Sequence, residues 1–211
     1  MLQNSYDGKP TLYLISTPIG NLDDITYRSV KILNDVDVIF SEDTRVTLNL
    51  LNYLGINKKL IALHEHNEDM AKEKVLEYLK NGNNVALVTD RGTPIISDPG
   101  YKTVKYITDN NYNVVALPGP TAFVPALITS GLAPQPFLFY GFLDSKDSLK
   151  RSELERLSDE EETIIFYEAP HRIIRTLNMI LDIFGDRNIS ISREISKKFE
   201  TIYRGKISDV I

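Results

Sequence analysis

Short apolar runs of strand length alternate with longer segments of helical periodicity through the first half of the chain. Alternation of this kind predicts parallel strands joined by helices. Runs that are apolar at nearly every position are typical of strands buried on both faces, so we expect helices on both sides of one twisted sheet. The five runs are 11–16, 36–41, 60–63, 85–89 and 114–117, and the clearest helical segments are 24–34, 44–54 and 68–80.

The pattern changes after Pro118, where we place a domain boundary. The last two apolar runs have no long helix between them, which predicts antiparallel or mixed pairing. The polar segment 144–162 is interpreted as a solvated helix or a mobile excursion. We therefore predict two α/β domains, 1–117 with a parallel five-stranded sheet and 118–211 with a mixed sheet. The second domain's predicted elements are a helix at 121–130, strands at 137–142 and 163–168, a helix at 171–184, and strands at 189–194 and 199–203.

Composition excludes several classes of protein. The 211 residues contain no cysteine, which excludes a disulfide-stapled fold, a zinc ribbon and a thiol nucleophile. The N-terminus does not resemble a signal peptide and no apolar run is long enough for a membrane span, so we expect a cytoplasmic protein. The net charge of −5 argues against a non-specific nucleic-acid coat, although segment 187–206 is locally basic.

Three apolar runs end in loops rich in proline and glycine: 16–21, 90–100 and 117–121. In a parallel sheet such loops lie together at the carboxyl edge of the strands, where α/β proteins bind ligands. Glycine allows close backbone approach to a ligand, and proline restricts the loop conformation. Each loop alone is more often a simple turn, and neither a dinucleotide-binding glycine motif nor a P-loop is present.

Six ordered motifs, spread over nearly the whole chain, resemble those of the bacterial 16S ribosomal RNA ribose methyltransferases, a family of the tetrapyrrole-methylase superfamily. The motifs are LISTPIGNLDDIT (14–26), SEDTR (41–45), TDRGTPIISDPGY (89–101), LPGPTAFVPALITSGL (117–132), FYEAPHRI (166–173) and REISKKFETIYRG (193–205).

The resemblance implies two α/β domains with S-adenosylmethionine in the cleft between them, usually as a homodimer. It implies methylation of a cytidine ribose 2′-oxygen in the decoding region of 16S ribosomal RNA, with the small ribosomal subunit as partner and no metal. The residues that it places against the methyl donor are Pro18, Gly92, Thr93, Ile96, Thr121, Ala122, Phe166 and Tyr167.

The chain departs from the family pattern in three places. Arg91 stands where the family usually has alanine, and segment 144–148 is less basic than usual. Family members also usually continue past the YRG motif, so we expect a small C-terminal region to be missing.

The sequence offers several candidates for proton removal and RNA binding, but no motif that identifies the catalytic base. The catalytic candidates are Asp43, Glu168, His171 and Lys197, and the candidates for RNA contact are Arg45, Arg172, Arg193 and Lys198. Carboxylates and histidine suit proton transfer, and arginine suits phosphate. The structural alternatives are a helix N-cap at Asp43 or Thr44 with a surface arginine, a helix-start histidine, and a solvated turn at the lysines.

Two further patterns receive structural interpretations. His64 and His66 stand at the i, i+2 spacing of metal ligands on a strand, but no third ligand lies close by in sequence. We favour a polar strand end and helix cap formed by His64, Asn67 and Glu68. The aromatic run 137–142 is explained by alternating burial as well as by base stacking, and we prefer burial.

Two other functions remain open from the sequence. The same superfamily architecture serves methyltransferases that act on small tetrapyrroles, and a non-catalytic RNA- or nucleotide-binding module is the third possibility. The SEDTR and FYEAPHR motifs favour the RNA methyltransferase.

Overall fold

The computed structural model describes residues 3–5 and 7–211 and divides into two units. One unit extends to Thr121 and the other runs from Ala122 to Ile211. The sequence-based boundary falls after Leu117, at the end of the last strand of the first unit. Within the described ranges, no helix has the length and apolar character needed to cross a membrane.

Within its described residues, the first unit contains five strands and four α-helices. The strands are β1 (Thr11–Ile15), β2 (Val38–Ser41), β3 (Lys59–Ala62), β4 (Val85–Val88) and β5 (Asn113–Leu117). The helices are α1 (Tyr27–Asp35), α2 (Thr44–Leu54), α3 (Glu68–Lys80) and α4 (Tyr101–Asp109), with a 3₁₀ turn at Leu22–Asp24. All strand pairs are parallel, in the order β3-β2-β4-β1-β5, which confirms the predicted sheet.

Both faces of this sheet are buried, which explains the apolar character of its strands. Successive side chains of a strand point to opposite faces. On one face Phe40 belongs to a core cluster with Val75 of α3 and Ile107 of α4. On the other face Ile39 belongs to a second cluster, which includes Leu51 of α2 and residues of α1. Burial on two sides therefore favours apolar residues along each strand, and the polar residues Thr11, Ser41 and Asn113 stand only at strand ends.

The direction of the connections reverses after β3. Helices α1 and α2 lead the chain from β1 to the β3 edge, and α3 and α4 lead it back to β5. Because parallel crossovers are right-handed, the reversal places the two helix pairs on opposite faces. The loops after the adjacent strands β1 and β4 therefore diverge, which creates the switch point at which sheets of this type bind ligands.

The second unit contains two separate two-stranded sheets. Its strands are β6 (Phe137–Phe142), β7 (Thr163–Tyr167), β8 (Asn188–Arg193) and β9 (Thr201–Lys206). Its helices are α5 (Phe123–Thr129), α6 (Asp147–Leu157), α7 (Ile173–Phe184) and α8 (Ile207–Val210). Strands β6 and β7 pair in parallel. Strands β8 and β9 pair antiparallel along their full length, as predicted, so the two kinds of pairing occur in separate sheets rather than in one mixed sheet.

The charged segment 144–162, interpreted as a solvated helix or a mobile excursion, contains a helix that is not solvated on all sides. It forms α6, which packs on α7 and buries Lys150, Leu154 and Leu157. One side of the helix is therefore part of the interior of the second unit. The sequence conceals this because a lysine takes one of the three buried positions.

Gly119, directly after β5, offers a test of the close packing at the carboxyl edge. A Cβ at this position would lie 2.8 Å from the Cβ of Ser16, a contact that side chains do not tolerate without movement. We expect Gly119→Ala to lower the free energy of unfolding by about 1–3 kcal/mol, as overpacking does. Urea unfolding followed by circular dichroism measures the change.

The control is a double-mutant cycle with Ser16→Gly, which removes the colliding Cβ. Gly119→Ala should cost much less in the Ser16→Gly background than in the parent. An equal cost in both backgrounds would show that the contact between residues 16 and 119 is not the cause.

Candidate functional site

The three loops predicted to share one edge are joined there by direct hydrogen bonds. Thr17 and Gly92 each donate a backbone hydrogen bond to the other's carbonyl oxygen, both at 2.9 Å. The Ser16 hydroxyl donates to Thr93 Oγ1 at 3.2 Å, and Thr93 Oγ1 donates to the Pro120 carbonyl oxygen at 3.1 Å. One threonine therefore connects the loop after β1 to the loop after β5.

Glycine makes this arrangement possible at the centre of the edge. Gly92 has φ of +87°, a backbone conformation that L side chains rarely adopt. A Cβ there would lie 3.3 Å from Ile19 Cγ2 and 3.9 Å from the Pro120 carbonyl oxygen. A side chain at position 92 would therefore occupy the space beside both neighbouring loops.

The donor-contact residues implied by the resemblance fall into two groups. Pro18, Gly92 and Thr93 come together at the edge, where Pro18 is buried. Ile96 is 39% exposed on the longest loop. Thr121 and Ala122, both half-buried, lead from the third loop towards α5.

Phe166 and Tyr167 lie on β7 in the second unit. The Tyr167 ring centroid is 5.1 Å from that of Phe139 and 5.5 Å from that of Phe142, and Phe166 contacts Tyr140 at 5.7 Å. These contacts pack part of the aromatic run 137–142 within the second unit. The alternating burial that we preferred is not found, because Phe137 and Phe142 at the two ends are 40% and 51% exposed and the residues between them do not alternate.

The SEDTR motif forms the start of α2. The Asp43 carboxylate accepts the Arg45 N–H at 2.8 Å, the hydrogen bond of an N-cap. The same carboxylate accepts two hydrogen bonds from the Arg45 guanidinium, at 3.0 and 2.6 Å. These bonds lower the pKa of Asp43 to about 2. Asp43 therefore caps the helix and orients Arg45, whose side chain is 88% exposed.

Acidic side chains surround Thr89 at the end of β4, a feature that we did not single out from the sequence. The Thr89 hydroxyl donates to Glu42 Oε2 at 3.1 Å, and Asp90 Oδ1 accepts the Asp43 N–H at 3.0 Å. Burial raises the pKa of Asp98 to about 6, with a further contribution from the charges of Glu42 and Asp90, although a hydrogen bond with Thr89 opposes it. The edge therefore has a negative local potential that favours cations.

Glu168, at the end of β7, is the centre of a buried ionic cluster in the second unit. Its Oε2 lies 3.1 Å from Lys150 Nζ and accepts the Thr176 hydroxyl at 2.6 Å. Lys150 Nζ also donates to Thr176 Oγ1 at 2.7 Å, and the Ala169 N–H donates to Glu168 Oε1 at 2.8 Å. The side chains of Lys150 and Glu168 are only 1% and 6% exposed.

These contacts keep Glu168 ionised. Burial alone raises the pKa of Glu168, but hydrogen bonds from Thr176, the Ala169 N–H and Lys150 outweigh it, and the pKa is lowered. Arg172 Nε lies 2.9 Å from Glu168 Oε1. One carboxylate thus faces two cations, so one positive charge is left over where Arg172, with a side chain 26% exposed, reaches the surface.

The remaining candidates lie in or next to turns of the second unit. His171 is exposed in the turn before α7. Lys197 lies in the loop between β8 and β9, with its Nζ 3.1 Å from Glu194 Oε1. Lys198 Nζ lies 5.6 Å from the ring centroid of Phe199, and Arg193 is exposed at the end of β8.

Three other cations of the basic segment bind backbone carbonyl groups. The Arg204 guanidinium donates to the Thr129 carbonyl oxygen at 2.8 and 2.6 Å. Lys206 Nζ donates to the Asp186 carbonyl oxygen at 3.0 Å, and Arg187 Nη2 donates to that of Ser158 at 2.6 Å. Much of the local positive charge therefore stabilises the fold.

The histidine pair belongs to the turn before α3. Asn67 Oδ1 accepts the His64 N–H at 2.8 Å, and Asn67 Nδ2 donates to the Ala62 carbonyl oxygen at 3.0 Å. Glu68 Oε1 accepts the Thr103 N–H at 2.9 Å. Among the residues that the structure describes, no group of three or more potential ligands is placed to hold a metal ion.

Lys150, Thr176 and Asp98 are the site residues that sequence reasoning missed. Lys150 lies in a helix of mostly charged residues, so nothing in its pattern indicates burial. Asp98 could have been found from the sequence. Glu42 follows β2, Asp90 and Asp98 lie in the loop after β4, and β2 and β4 are adjacent strands.

The chain is similar to proteins of one family over nearly its whole length. The family described as Tetrapyrrole (Corrin/Porphyrin) Methylases matches residues 11–211. A protein of Bacillus subtilis (strain 168) named Ribosomal RNA small subunit methyltransferase I is 50% identical over 212 residues, 99% of this chain and 73% of that protein. A protein of the same name from Escherichia coli O157:H7 is 42% identical over 210 residues, with the same coverage.

A solved structure shares the fold. The native form of uroporphyrin III C-methyl transferase from Thermus thermophilus aligns with a TM-score of 0.64 over 95% of this chain and 90% of that one. The sequences are 15% identical, so this likeness concerns the fold alone.

The ionic cluster at Glu168 generates a stability prediction. Lys150→Met removes the buried ammonium partner of Glu168 and leaves Arg172 as the one cation of the pair beside that carboxylate. We expect it to lower the free energy of unfolding by about 3 kcal/mol, the lower end of the range for breaking a buried pair. The double variant Lys150→Met/Glu168→Gln removes both charges and should recover much of that loss. Urea unfolding followed by circular dichroism measures both.

Lys105→Met is the matched control, because Lys105 pairs with Asp109 while both side chains are more than half exposed. Exposed pairs contribute only about 0.2–1 kcal/mol. Similar losses for Lys105→Met and Lys150→Met would contradict a special role for the buried pair.

Proposed function

The chain belongs to the tetrapyrrole methylase family, and from this premise we propose that it methylates ribosomal RNA of the small subunit. The acceptor that we propose is a cytidine ribose 2′-oxygen in the decoding region of 16S ribosomal RNA, and the donor is S-adenosylmethionine. The observation that carries the proposal is the 42–50% identity, over almost the entire chain, to relatives named Ribosomal RNA small subunit methyltransferase I. We further propose that the protein acts in the cytoplasm, where the small subunit is assembled, and that it works as a homodimer.

The carboxyl edge of the first unit fits the proposed donor in shape and charge. Gly92 leaves open the space that a Cβ would fill, next to Ile19 and Pro120. Glu42, Asp90 and Asp98 make the neighbouring surface negative, which favours a cationic sulfonium. The residues that we propose to hold the donor are Pro18, Gly92, Thr93, Ile96, Thr121 and Ala122, with Phe166 and Tyr167 supplied by the second unit.

The donor supplies a methyl group activated by its bond to a sulfonium sulfur. Transfer forms the bond from the ribose oxygen to the methyl carbon as the bond to sulfur breaks, and the hydroxyl proton leaves to a base. Such reactions depend mainly on holding the two reactants in line. The protein's principal task is therefore to position the ribose.

The four catalytic candidates fall into two pairs. Two are ionised carboxylates, and two are basic side chains that we propose to act at the ribose. Asp43 has a pKa of about 2, and Glu168 is held ionised by Lys150, so both are weak bases near neutral pH. We assign them to orienting Arg45 and Arg172 towards RNA phosphates. His171, exposed beside Arg172, is the proposed proton acceptor. Lys197 is proposed to stabilise negative charge that develops on the ribose oxygen.

Methylation of isolated small subunits tests the proposed reaction. Subunits from cells that lack this enzyme are incubated with the chain and methyl-labelled donor. We expect about one methyl group per subunit, at a cytidine whose 3′ phosphodiester bond then resists alkaline cleavage, because a methylated 2′-oxygen does not attack the phosphate. Label on a base, or on a tetrapyrrole in place of RNA, would contradict the assignment.

Gly92→Val tests the donor site separately from RNA. The new side chain fills the space beside Ile19 and Pro120, so we expect calorimetric titration with S-adenosylhomocysteine to show at least a 100-fold loss of affinity. Gly82→Val is the matched control, because Gly82 has φ of +82° and nothing lies within 4 Å of the place that a Cβ would occupy there. Both variants carry the same backbone strain, and only Gly92→Val should lose binding.

A further inference from the structure

Strands β8 and β9 present a loop whose backbone is held by its own hydrogen bonds. Glu200 Oε2 accepts the Ser196 N–H at 2.6 Å, and the N–H groups of Lys197 and Glu200 donate to carbonyl oxygens within the loop at 3.0 and 3.1 Å. Glu194 is paired with Lys197. Both carboxylates of the loop are therefore engaged in shaping it.

Aromatic side chains project from this shaped loop and from the adjoining strand. Phe199 is 72% exposed and Tyr203 is 48% exposed. In the antiparallel register Ile191 pairs with Tyr203 and Arg193 pairs with Thr201, so Arg193 and Tyr203 are diagonal neighbours on one face. Exposure of a whole phenyl ring gains nothing for folding, because its apolar surface stays in water.

Two basic side chains, Lys198 and Arg193, lie near the rings of Phe199 and Tyr203. Lys198 Nζ lies 5.6 Å from the centroid of Phe199, within the range of a cation–π contact. Neither Lys198 nor Arg193 forms an ion pair with a carboxylate in the described part of the chain. By contrast, the Arg204 guanidinium and Lys206 Nζ donate to backbone carbonyl oxygens, and Lys197 Nζ lies 3.1 Å from Glu194 Oε1. Two positive charges thus remain beside two exposed rings.

We propose that Arg193, Lys198, Phe199 and Tyr203, here called the hairpin platform, bind single-stranded RNA. A base stacks on Phe199 and a second on Tyr203, while Lys198 and Arg193 contact the flanking phosphates. Exposed aromatic rings interleaved with cations are the arrangement by which proteins hold unpaired nucleic acid. The proposal rests on the proposed function and adds to it the substrate's conformation: the target region is unpaired where it meets the platform.

The charge of the whole chain supports a local contact of this kind. A net charge of −5 repels RNA from most of the surface. Binding then depends on the positions where cations are not paired with carboxylates, and the platform is one of them. Stacking adds short-range attraction that salt does not screen, so a small patch can select unpaired segments over duplex.

The chain has no tryptophan, so Phe199→Trp places a single reporter in the platform. We expect saturable fluorescence quenching by a 12-nucleotide unstructured RNA and at least fivefold weaker quenching by a duplex of the same length. Tyr27→Trp is the matched control, because Tyr27 is 97% exposed at the start of α1 in the other unit. Equal quenching of the two reporters, or no quenching of either, would overturn the proposal.

Loss-of-ring variants measure the contribution of stacking. Phe199→Ala should weaken affinity for the same RNA roughly 5- to 150-fold, the range found for a stacked base, whereas Phe199→Tyr should retain most of it. Arg193→Gln and Lys198→Gln should each reduce the slope of log affinity against log salt by about 0.7, as expected for one phosphate contact. Arg151→Gln, which removes an exposed cation paired with Asp182, should leave the slope unchanged.

Parallel methylation of small subunits separates failure of the platform from failure of the proposed reaction. If Phe199→Ala raises KM for the subunit and leaves S-adenosylhomocysteine affinity intact, the platform is a substrate-binding surface. If the parent methylates subunits while Phe199→Ala does so equally well, the platform is wrong and the reaction stands. If Phe199→Ala binds the free RNA normally and only the assembled subunit poorly, the platform contacts a ribosomal protein, and the RNA proposal fails.

Discussion

The paired backbone hydrogen bonds between Thr17 and Gly92 are the contact on which the candidate donor site depends. Strands β1 and β4 are neighbours whose helices leave towards opposite faces of the sheet, so their following loops would otherwise separate. The two 2.9 Å bonds keep these loops together, and Thr93 extends the connection to Pro120. Gly92 and Gly119 are required there because a Cβ at either position would meet a neighbouring loop. The space beside Gly92 thus exists because the backbones of the loops after β1, β4 and β5 approach one another closely.

In the second unit, a buried ion pair between Lys150 and Glu168 holds candidate site residues in place. Burial of an isolated lysine or glutamate is costly, and the cost is offset only when each charge is fully hydrogen-bonded. Lys150, Thr176 and the Ala169 N–H meet this condition for Glu168. Since Lys150 already neutralises the carboxylate, the charge of Arg172 remains available to an anion outside the protein. Lys150, buried on α6, therefore affects the charge that Arg172 presents at the surface.

The sequence predicted the first unit closely because its signals are local and redundant. Each strand coincides with a mostly apolar run, three of the four helices match the predicted helical segments, and the three loops are marked by proline and glycine. The fourth helix, α4, is not among the predicted segments. Prediction failed where burial depends on a partner distant in sequence. Lys150 is buried because Glu168 and Thr176 face it, and no pattern within α6 indicates this. Likewise, nothing in the SEDTR pattern shows that the Asp43 carboxylate accepts both the Arg45 N–H and the Arg45 guanidinium.

The contacts of the individual cations bear on the surface that we propose for RNA binding on this acidic protein. Segment 187–206 is basic in composition, yet Arg187, Arg204 and Lys206 bind backbone carbonyl oxygens and Lys197 is paired. Counting charges therefore overestimates the attraction that this segment exerts on phosphate. The cations that remain stand beside exposed rings or, like Arg45, are held in a fixed direction by a carboxylate. For the proposed RNA substrate we therefore expect affinity to depend on the shape of the RNA as well as on its charge.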